Sequence, residues 1–220
     1  LITEGYNFKN THYNFVPTYT APGHAAVYTG TTPAFNGIVG NNWYDKTQAK
    51  EIYCAGDESV ETVGSESDRG KMSPRNMLTT TISDQLRLSS QKRSKVIGLS
   101  IKDRGAIFPA GHMGEAFWYD KSTGDFITST YYTKKLPDWV SAFNQRKRPA
   151  YYLSQKWEPA DILDNYRESG EDNVSYESPL NKETPTFPYE LNKGDYWMVT
   201  ETPFGNELLT ELALSALEKA

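Results

Sequence analysis

The sequence predicts an α/β fold, with a largely parallel central sheet, flanking helices and an aromatic-rich insertion. Two observations lead to this prediction. A helix is expected from Ser73-Pro74 because apolar side chains recur on one face, at Leu78, Ile82 and Leu86. The short apolar segment KVIGLS follows and fits a buried parallel strand, and a glycine-containing loop comes next. Helix, strand and loop in this order are typical of α/β proteins.

Two β-hairpins flank this unit. In the first, Trp43-Tyr44 and Ile52-Tyr53 lie on either side of a polar turn. In the second, residues 117–132 alternate β-forming side chains around the turn sequence DKSTG. A further short helix is predicted to begin at Leu136-Pro137, and residues 55–72, which are acidic and rich in Ser and Gly, are expected to form a surface loop.

The chain divides into three predicted parts. Residues 1–147 form the main α/β part, and residues 148–196 lack a sustained period and are expected to form an insertion or cap. Residues 197–220 return to the α/β part and end in an amphipathic helix, with one face listed as Leu209, Leu212, Ala213, Ala216 and Leu217. The helix has no Gly or Pro terminator, and the sequence opens without a signal-peptide pattern. We therefore expect a fragment of a larger protein, from which any signal peptide is absent.

Composition and charge exclude several classes of protein. The 220 residues are 37% hydrophobic and 13% aromatic, which is a globular composition. Lys plus Arg is 23 and Asp plus Glu is 28, giving a net charge of −5 without a long block of either sign. This balance argues against a nucleic-acid surface or a polybasic membrane patch, and no apolar run is long enough to span a membrane. The single cysteine, Cys54, excludes an internal disulfide and a Cys-rich zinc site.

The stretch PTYTAPGHAAVYTG contains the first candidate functional residue, Thr20. Tyr19 and Thr20 end a β-prone run, and the small residues from Ala21 to Tyr28 are predicted to form a helix with Thr20 at or near its N-cap. Capping alone would explain the threonine. The alternative is functional, because backbone N–H groups and the helix dipole favour an anion at this position, as a threonine attacking a phosphoryl group would require.

Asn41 is the second candidate. It lies in GNNWYD, where asparagine after glycine is typical of a turn with positive φ. The functional alternative is that its amide donates a hydrogen bond to a bound oxyanion. Local sequence leaves both interpretations open.

Lys102 and Arg104 follow the predicted buried strand in SIKDRGAI. In an extended chain they would project to one side, toward the ligand crevice at the carboxyl edge of the sheet, and a lysine beside a planar guanidinium matches a phosphoryl group. The plain alternative is a strand end that reaches solvent. Asp103 would point the other way and be a surface residue.

Metal and nucleotide motifs are missing from the sequence. The histidines His12, His24 and His112 have no zinc-ligand spacing, so we expect no self-contained zinc cage and assign no ligand role to His24. The sequence has no phosphate-binding P-loop, no Rossmann fingerprint and no Gly-x-Ser-x-Gly elbow. The remaining constellation is Thr20, Asn41, Lys102 and Arg104.

These four residues, in this order, resemble the alkaline phosphatase superfamily, in the threonine-nucleophile branch that includes type I phosphodiesterases and nucleotide pyrophosphatases. The similarity is greatest to bacterial threonine-nucleophile alkaline phosphatases. PTYTAPGHAAVYTGTTPAFNGIVGNNWYD resembles their nucleophile segment, and IGLSIKDRGAI resembles their phosphate-binding segment. The likeness continues to ETPFGNELLTELA near the end of the chain.

The resemblance implies a partial alkaline-phosphatase-like sheet and a reaction through a phosphothreonine. Thr20 would be the nucleophile and would also contact one zinc ion, Asn41 would bind a phosphoryl oxygen, and Lys102 and Arg104 would stabilise the phosphoryl charge. The family uses two zinc ions, whose Asp and His ligands would lie outside this chain, so the isolated chain is expected to be inactive. The implied substrate is a small phosphate ester, and the implied location is periplasmic or secreted.

Two alternatives stay open. One is a phosphodiesterase or nucleotide pyrophosphatase of the same superfamily, and the other is a phosphate-binding module without catalysis. Many diesterase relatives have His-Gly-Ile where this chain has Asn36-Gly37-Ile38, which argues slightly against a diesterase. The cations Lys102 and Arg104 also favour a monoester, because its dianion carries one more charged oxygen than a diester.

Overall fold

The computed structural model describes residues 3–166, 168, 170–181 and 184–219. Its helices and smaller sheets are arranged around a four-stranded sheet. The helices are α1 (Thr20–Thr29), α2 (Pro33–Asn36), α3 (Ile82–Ser89), α4 (Asp103–Ala110), α5 (Asp138–Gln145), α6 (Arg148–Tyr152), α7 (Trp197–Thr200) and α8 (Phe204–Lys219). The strands are β1 (Asn42–Asp45), β2 (Lys50–Tyr53), β3 (Thr62–Val63), β4 (Ile97–Ser100), β5 (Glu115–Asp120), β6 (Asp125–Ser129), β7 (Lys156–Trp157) and β8 (Tyr189–Glu190). Single 3₁₀ turns cover Asp68–Gly70 and Leu163–Asn165.

The central sheet is mixed, and the prediction of a largely parallel sheet is wrong for the part of the chain that the structure describes. Its strand order is β3-β6-β5-β4. Strands β4 and β5 pair in parallel, from Ile97 opposite Glu115 to Ser100 opposite Trp118. Strand β6 pairs antiparallel with both β5 and β3. A tight turn with Gly124 at φ +76° joins β5 to β6, and a connection this short permits only an antiparallel pair.

Both predicted hairpins and the predicted strand KVIGLS are confirmed as β1–β2, β5–β6 and β4. The predicted helix after Leu136-Pro137 is confirmed as α5, which buries Trp139, Val140 and Phe143. Local turn residues and apolar spacing were sufficient to predict these elements, although β4 pairs with β5 and α5 packs on the distant helix α8.

Residues 55–72 are not simply a surface loop. Val63 in β3 is 7% exposed and pairs with Thr128 of β6. Asp57 is also buried, and its carboxylate accepts hydrogen bonds from the hydroxyl groups of Ser59 and Ser73. Asp57 therefore satisfies polar groups inside the fold, whereas the other acidic residues of the segment are exposed.

The helix predicted from Ser73-Pro74 begins eight residues later, at Ile82. Thr81 and Asp84 form a capping box, in which the threonine Oγ1 accepts from the Asp84 N–H and the Asp84 carboxylate accepts from the Thr81 N–H. Asp84 is fully buried, which turns the polar side of α3 toward the protein. The predicted apolar face consequently lies outward, with Leu78 75%, Ile82 67% and Leu86 49% exposed.

The core lies on both sides of β5. Phe117 and Tyr119 belong to one cluster with residues of α5 and α8, whereas Ala116 and Trp118 belong to another with residues of α1 and α4. Side chains alternate between the two faces of a strand, and both faces here are covered, so every β5 residue from Ala116 onward is buried.

The segment from 148 to 196 packs on the end of the chain. In α6, the guanidinium of Arg148 lies 2.6 Å from the carboxylate of Glu211 in α8, and the Tyr152 hydroxyl donates to the same carboxylate at 2.8 Å. Further along, the rings of Trp157 and Tyr189 stack at 5.3 Å between centroids. Aromatic contacts and ion pairs, including a second pair between Lys156 and Glu190, thus hold a segment that has little regular structure.

Helix α8 buries a narrower face than predicted. Leu208, Leu212 and Ala216 are buried, but Leu217 is 85% exposed and its predicted place on the buried face is wrong. The step from Leu212 to Ala216 is one turn, so a residue one position further on rotates away from the core.

Two substitutions in α8 test this arrangement. Leu212→Ala is expected to lower the free energy of unfolding by about 2–5 kcal/mol, because it removes a fully buried side chain and leaves a cavity. Leu217→Ala is the matched control and is expected to change little. Urea unfolding of the 220-residue chain measures both, and equal losses would contradict the assigned face.

Candidate functional site

Thr20 is the first residue of α1, one position later than a cap. Tyr19 is the N-cap, with extended dihedral angles, and the structure describes no strand before it, so the β-prone run is not a strand. The Thr20 side chain is exposed, and its hydroxyl makes no hydrogen bond to any residue described. A free hydroxyl therefore lies at the positive end of the α1 dipole.

Asn41 holds the start of α1. Its Oδ1 accepts a hydrogen bond from the Ala21 N–H at 2.9 Å, which satisfies one of the free donors of the helix N-terminus. Its backbone carbonyl accepts from the Cys54 N–H at 2.9 Å, immediately after β2. With Oδ1 used in this way, the amide Nδ2 is the group left to donate, and it has no partner within the described ranges.

The prediction that Lys102 and Arg104 share one extended segment is wrong, because Lys102 has extended backbone angles but Arg104 is helical. Strand β4 ends at Ser100, Lys102 is the N-cap of α4, and Arg104 lies in the first turn of that helix. Both side chains nevertheless line one cavity of about 230 Å³, which also contains Asp103. The N-terminus of α4 thus brings together the two cations that the sequence analysis placed at the carboxyl edge of the sheet.

Asp103 is not a simple surface residue, because it takes part in a hydrogen-bond network with Tyr53. The Tyr53 hydroxyl donates to Asp103 Oδ1 at 2.6 Å and accepts from Arg104 Nη1 at 2.9 Å. Burial, and secondarily the Asp103 carboxylate, raises the pKa of Tyr53, so the phenol remains a donor. Sequence reasoning missed Tyr53, since only tertiary contact connects it to residues about fifty positions away.

The buried thiol beside Tyr53 is unreactive. Burial, followed by the charge of Asp103, raises the pKa of Cys54 to about 12. The side chain is fully buried in the core next to α4. Cys54 is therefore a packing residue and not a nucleophile.

The structure links the two pairs of candidate residues through packed elements. Helix α1 packs on α4, and burial together with the positive charge of Arg104 lowers the pKa of His24 in α1. The Asn41 carbonyl accepts a hydrogen bond from the N–H of the residue after Tyr53, and the Tyr53 hydroxyl accepts one from Arg104. Thr20 and Asn41 are joined at the start of α1, but neither lines the cavity of Lys102 and Arg104.

The described part of the chain does not fit a zinc site. It contains no cluster of three or more His, Cys, Asp or Glu side chains that could hold a metal. His112 is engaged elsewhere, with its ring nitrogens 3.3 Å from Asp84 Oδ2 and 2.9 Å from the Met77 carbonyl. His24 belongs to no such cluster among the described residues.

The chain belongs to the type I phosphodiesterase / nucleotide pyrophosphatase family, whose sequence model matches residues 1–190. It is similar to the alkaline phosphatase PafA of Elizabethkingia meningoseptica, with 47% identity over 99% of this chain and 41% of that protein. It is also similar to the alkaline phosphatase PhoV of Synechococcus elongatus, with 45% identity over 99% of this chain and 40% of that protein. The chain thus spans about two fifths of the length of these relatives.

A solved structure of PafA matches the fold with a TM-score of 0.92 and 48% identity, covering 95% of this chain and 42% of that one. A second PafA structure, of a quadruple variant, gives the same TM-score at 46% identity. The predicted alkaline-phosphatase-like α/β fold and family resemblance are confirmed. Within the described residues, no helix has the length and apolar character needed to cross a bilayer.

Three asparagine variants test the support that Asn41 gives to the start of α1. Asn41→Ala is expected to lower the free energy of unfolding by about 1 kcal/mol, because the Ala21 N–H loses its acceptor. Asn41→Asp keeps an oxygen acceptor and adds a negative charge at the helix N-terminus, so it should retain stability. Asn42→Ala, which removes only an exposed bond to Glu51, is the matched control. Urea unfolding measures all three, and an Asn41→Ala chain as stable as the control would contradict this role.

Proposed function

We propose that the protein containing this chain hydrolyses phosphate monoesters, with Thr20 as the nucleophile. The observation that carries the proposal is the free Thr20 hydroxyl at the first turn of α1, beside an asparagine whose amide is oriented by the Ala21 N–H. Helix α4, which packs on α1, adds Lys102 and Arg104. Hydroxyl, amide donor and cations are the groups that transfer of a phosphoryl group needs.

In the proposed reaction, Thr20 Oγ1 bonds to phosphorus as the bond to the ester oxygen breaks and the alcohol leaves. Water then cleaves the resulting phosphothreonine and releases phosphate. Asn41 Nδ2 donates to a phosphoryl oxygen, and the fixed Oδ1 bond holds that donor in place before substrate arrives. This preorganisation avoids the cost of orienting the amide during the reaction.

Lys102 and Arg104 would set the preference for monoesters. The Tyr53 hydroxyl anchors one nitrogen of Arg104, and the guanidinium Nε is buried without a partner among the residues described. Two cations on one cavity wall suit the dianion of a monoester, whereas a diester carries an organic group in place of one charged oxygen. A charge-assisted hydrogen bond of this kind contributes roughly 1.5–3 kcal/mol.

The relatives support the same assignment. PafA and PhoV are named alkaline phosphatases. The quadruple PafA variant substitutes a threonine, an asparagine, a lysine and an arginine, in that chain order. These are the residue types and the order of Thr20, Asn41, Lys102 and Arg104 in this chain.

We further propose that side chains outside this chain hold the two zinc ions that the family resemblance implies. The residues described here lack a metal cluster, and none of them is a base hydrogen-bonded to Thr20. We propose that the chain is divided into three parts. Residues 1–147 form the nucleophile and phosphate-binding part of the catalytic domain, residues 148–196 form an insertion, and residues 197–220 return to the catalytic domain. The proposed location is periplasmic or secreted, and the proposed partner is a small phosphate ester.

The isolated 220-residue chain tests where the metal ligands lie. With added zinc and an aryl phosphate, we expect no turnover above the uncatalysed rate, because the described residues offer no cage of three ligands. Phosphate release measures the outcome. Turnover that disappears in Thr20→Ala would mean that this chain holds its own metal. The proposal that the metal ligands lie outside the chain would then be wrong.

A phosphodiesterase is the second candidate, and the family match favours it by name. The argument from Asn36 does not separate the two functions. Asn36 is fully buried, its amide lies 3.2 Å from the Thr31 carbonyl, and its Oδ1 accepts from the Ile38 N–H at 2.9 Å. The side chain stabilises the turn after α2, so its identity bears on the fold and not on the substrate.

Substrate preference decides between the candidates. In the full-length protein with zinc, kcat/KM for an aryl phosphate monoester is expected to exceed that for the matching diester. Arg104→Gln should lower the monoester value about 10- to 100-fold and the diester value much less, since the lost interaction is with the extra charged oxygen. Thr20→Ala should abolish both activities.

Thr18→Ala is the matched control, because Thr18 is also exposed but lies outside α1. It should leave both rates unchanged. A wild-type preference for the diester would replace monoester hydrolysis by the phosphodiesterase function. Phosphate binding without turnover of either ester would favour the non-catalytic module.

A further inference from the structure

We propose that Lys121 and Arg69 form a second anion-binding subsite, next to the phosphoryl site of Lys102 and Arg104, for a carboxylate or phosphate on the part of the substrate that is not transferred. The inference rests on the proposed function, because it specifies the class of phosphate ester. Both residues line the cavity that contains Lys102 and Arg104. They come from other elements, however, since Lys121 follows β5 and Arg69 lies in the 3₁₀ turn after β3.

The charge on the cavity wall is strongly unbalanced. Its lining includes four cationic side chains, listed as Arg69, Lys102, Arg104 and Lys121. Asp103 is the one carboxylate among the described lining residues, and it already accepts from the Tyr53 hydroxyl and the Arg104 N–H. An anion entering the cavity would therefore meet an excess of positive charge in a partly desolvated space.

Lys121 has no counter-ion. It is half-buried and makes no hydrogen bond or ion pair with any residue in the described ranges. Burial, then the charges of Lys102 and Arg69, lowers its pKa, while Glu201 acts weakly in the opposite direction. Holding like charges together costs free energy, and a bound anion would relieve that cost.

Arg69 is positioned for this role by the core. Its backbone carbonyl accepts from the Trp118 Nε1–H at 3.0 Å, and its Nε lies 3.4 Å from Asp120 Oδ1. Asp120 is fully buried and is itself held by the hydroxyl groups of Ser65 and Ser67. The guanidinium is anchored along one edge, and its two Nη atoms have no hydrogen-bond partner in the part of the chain described, so they can donate to a ligand.

The two sets of cations come from different elements around one small cavity. Arg104 is tied to Tyr53 of β2, whereas Lys121 and Arg69 are attached to the β5 side through Trp118 and its neighbours. A cavity of about 230 Å³ lined by both sets can take a ligand with two anionic groups. The phosphoryl group would meet Lys102 and Arg104, and the second group would meet Lys121 and Arg69.

The test compares phenyl phosphate with a carboxyphenyl phosphate in the full-length protein with zinc. Lys121→Gln is expected to lower kcat/KM for the carboxylated ester about tenfold, chiefly through KM, and to leave phenyl phosphate within about twofold. Arg69→Gln should have the same selective effect. Lys121→Arg should restore the carboxylated ester, and Lys134→Gln, which removes an exposed lysine away from the cavity, is the matched control.

Equilibrium binding of both esters to Thr20→Ala, with and without Lys121→Gln, separates this inference from the proposed function. The subsite predicts about tenfold weaker binding of the carboxylated ester alone when Lys121 is replaced. Equal losses for both esters, or none, would overturn the subsite. Absence of turnover in the wild type would refute the proposed function, whereas the binding comparison would still decide the subsite.

Discussion

The candidate site depends on the two hydrogen bonds made by the Tyr53 hydroxyl. This hydroxyl donates to Asp103 and accepts from Arg104, which fixes the first turn of α4 against the end of β2. The next residue along the chain donates its N–H to the Asn41 carbonyl, and Asn41 in turn holds the N–H of Ala21. Three separate elements, α1, the first hairpin and α4, are thus joined by a short series of hydrogen bonds. The Tyr53 side chain holds the N-terminus of α4, and the backbone of the next residue supports that of α1.

Residues on both faces of β5 help to position the elements that these hydrogen bonds join. Trp118 packs in the cluster that supports α1 and α4, and its indole N–H also fixes the backbone at Arg69. Phe117, on the other face, packs against Trp139 of α5. The strand is buried on both sides, so the cavity next to it has rigid walls. Tyr53 holds the guanidinium group of Arg104 and Asp120 holds that of Arg69 before a ligand binds, which favours preorganised anion binding.

Several local features could be predicted from sequence because their causes are local. The turns of both hairpins, the apolar strand β4 and the buried face of α5 follow from turn residues and spacing within a few positions. Local patterns singled out Thr20, Asn41, Lys102 and Arg104 as candidates, and the family resemblance assigned them roles in one site. By contrast, α3 was misplaced, because a capping box and the burial of Asp84 override the apolar spacing of Leu78 and its neighbours.

The sequence by itself determined the fold class, the family and the residue types available for phosphoryl chemistry. Only the tertiary structure decided that the sheet is mixed, that residues 55–72 supply a strand, and that Tyr53 joins Asp103 to Arg104. The sheet is mixed because the β5–β6 hairpin joins the parallel strand β4 on one side and β3 on the other, and both of these pairings are tertiary contacts. Pairing of β3 with β6 and the hydrogen bonds of Tyr53 connect residues fifty or more positions apart, so neither leaves a periodic or turn signal in the local sequence.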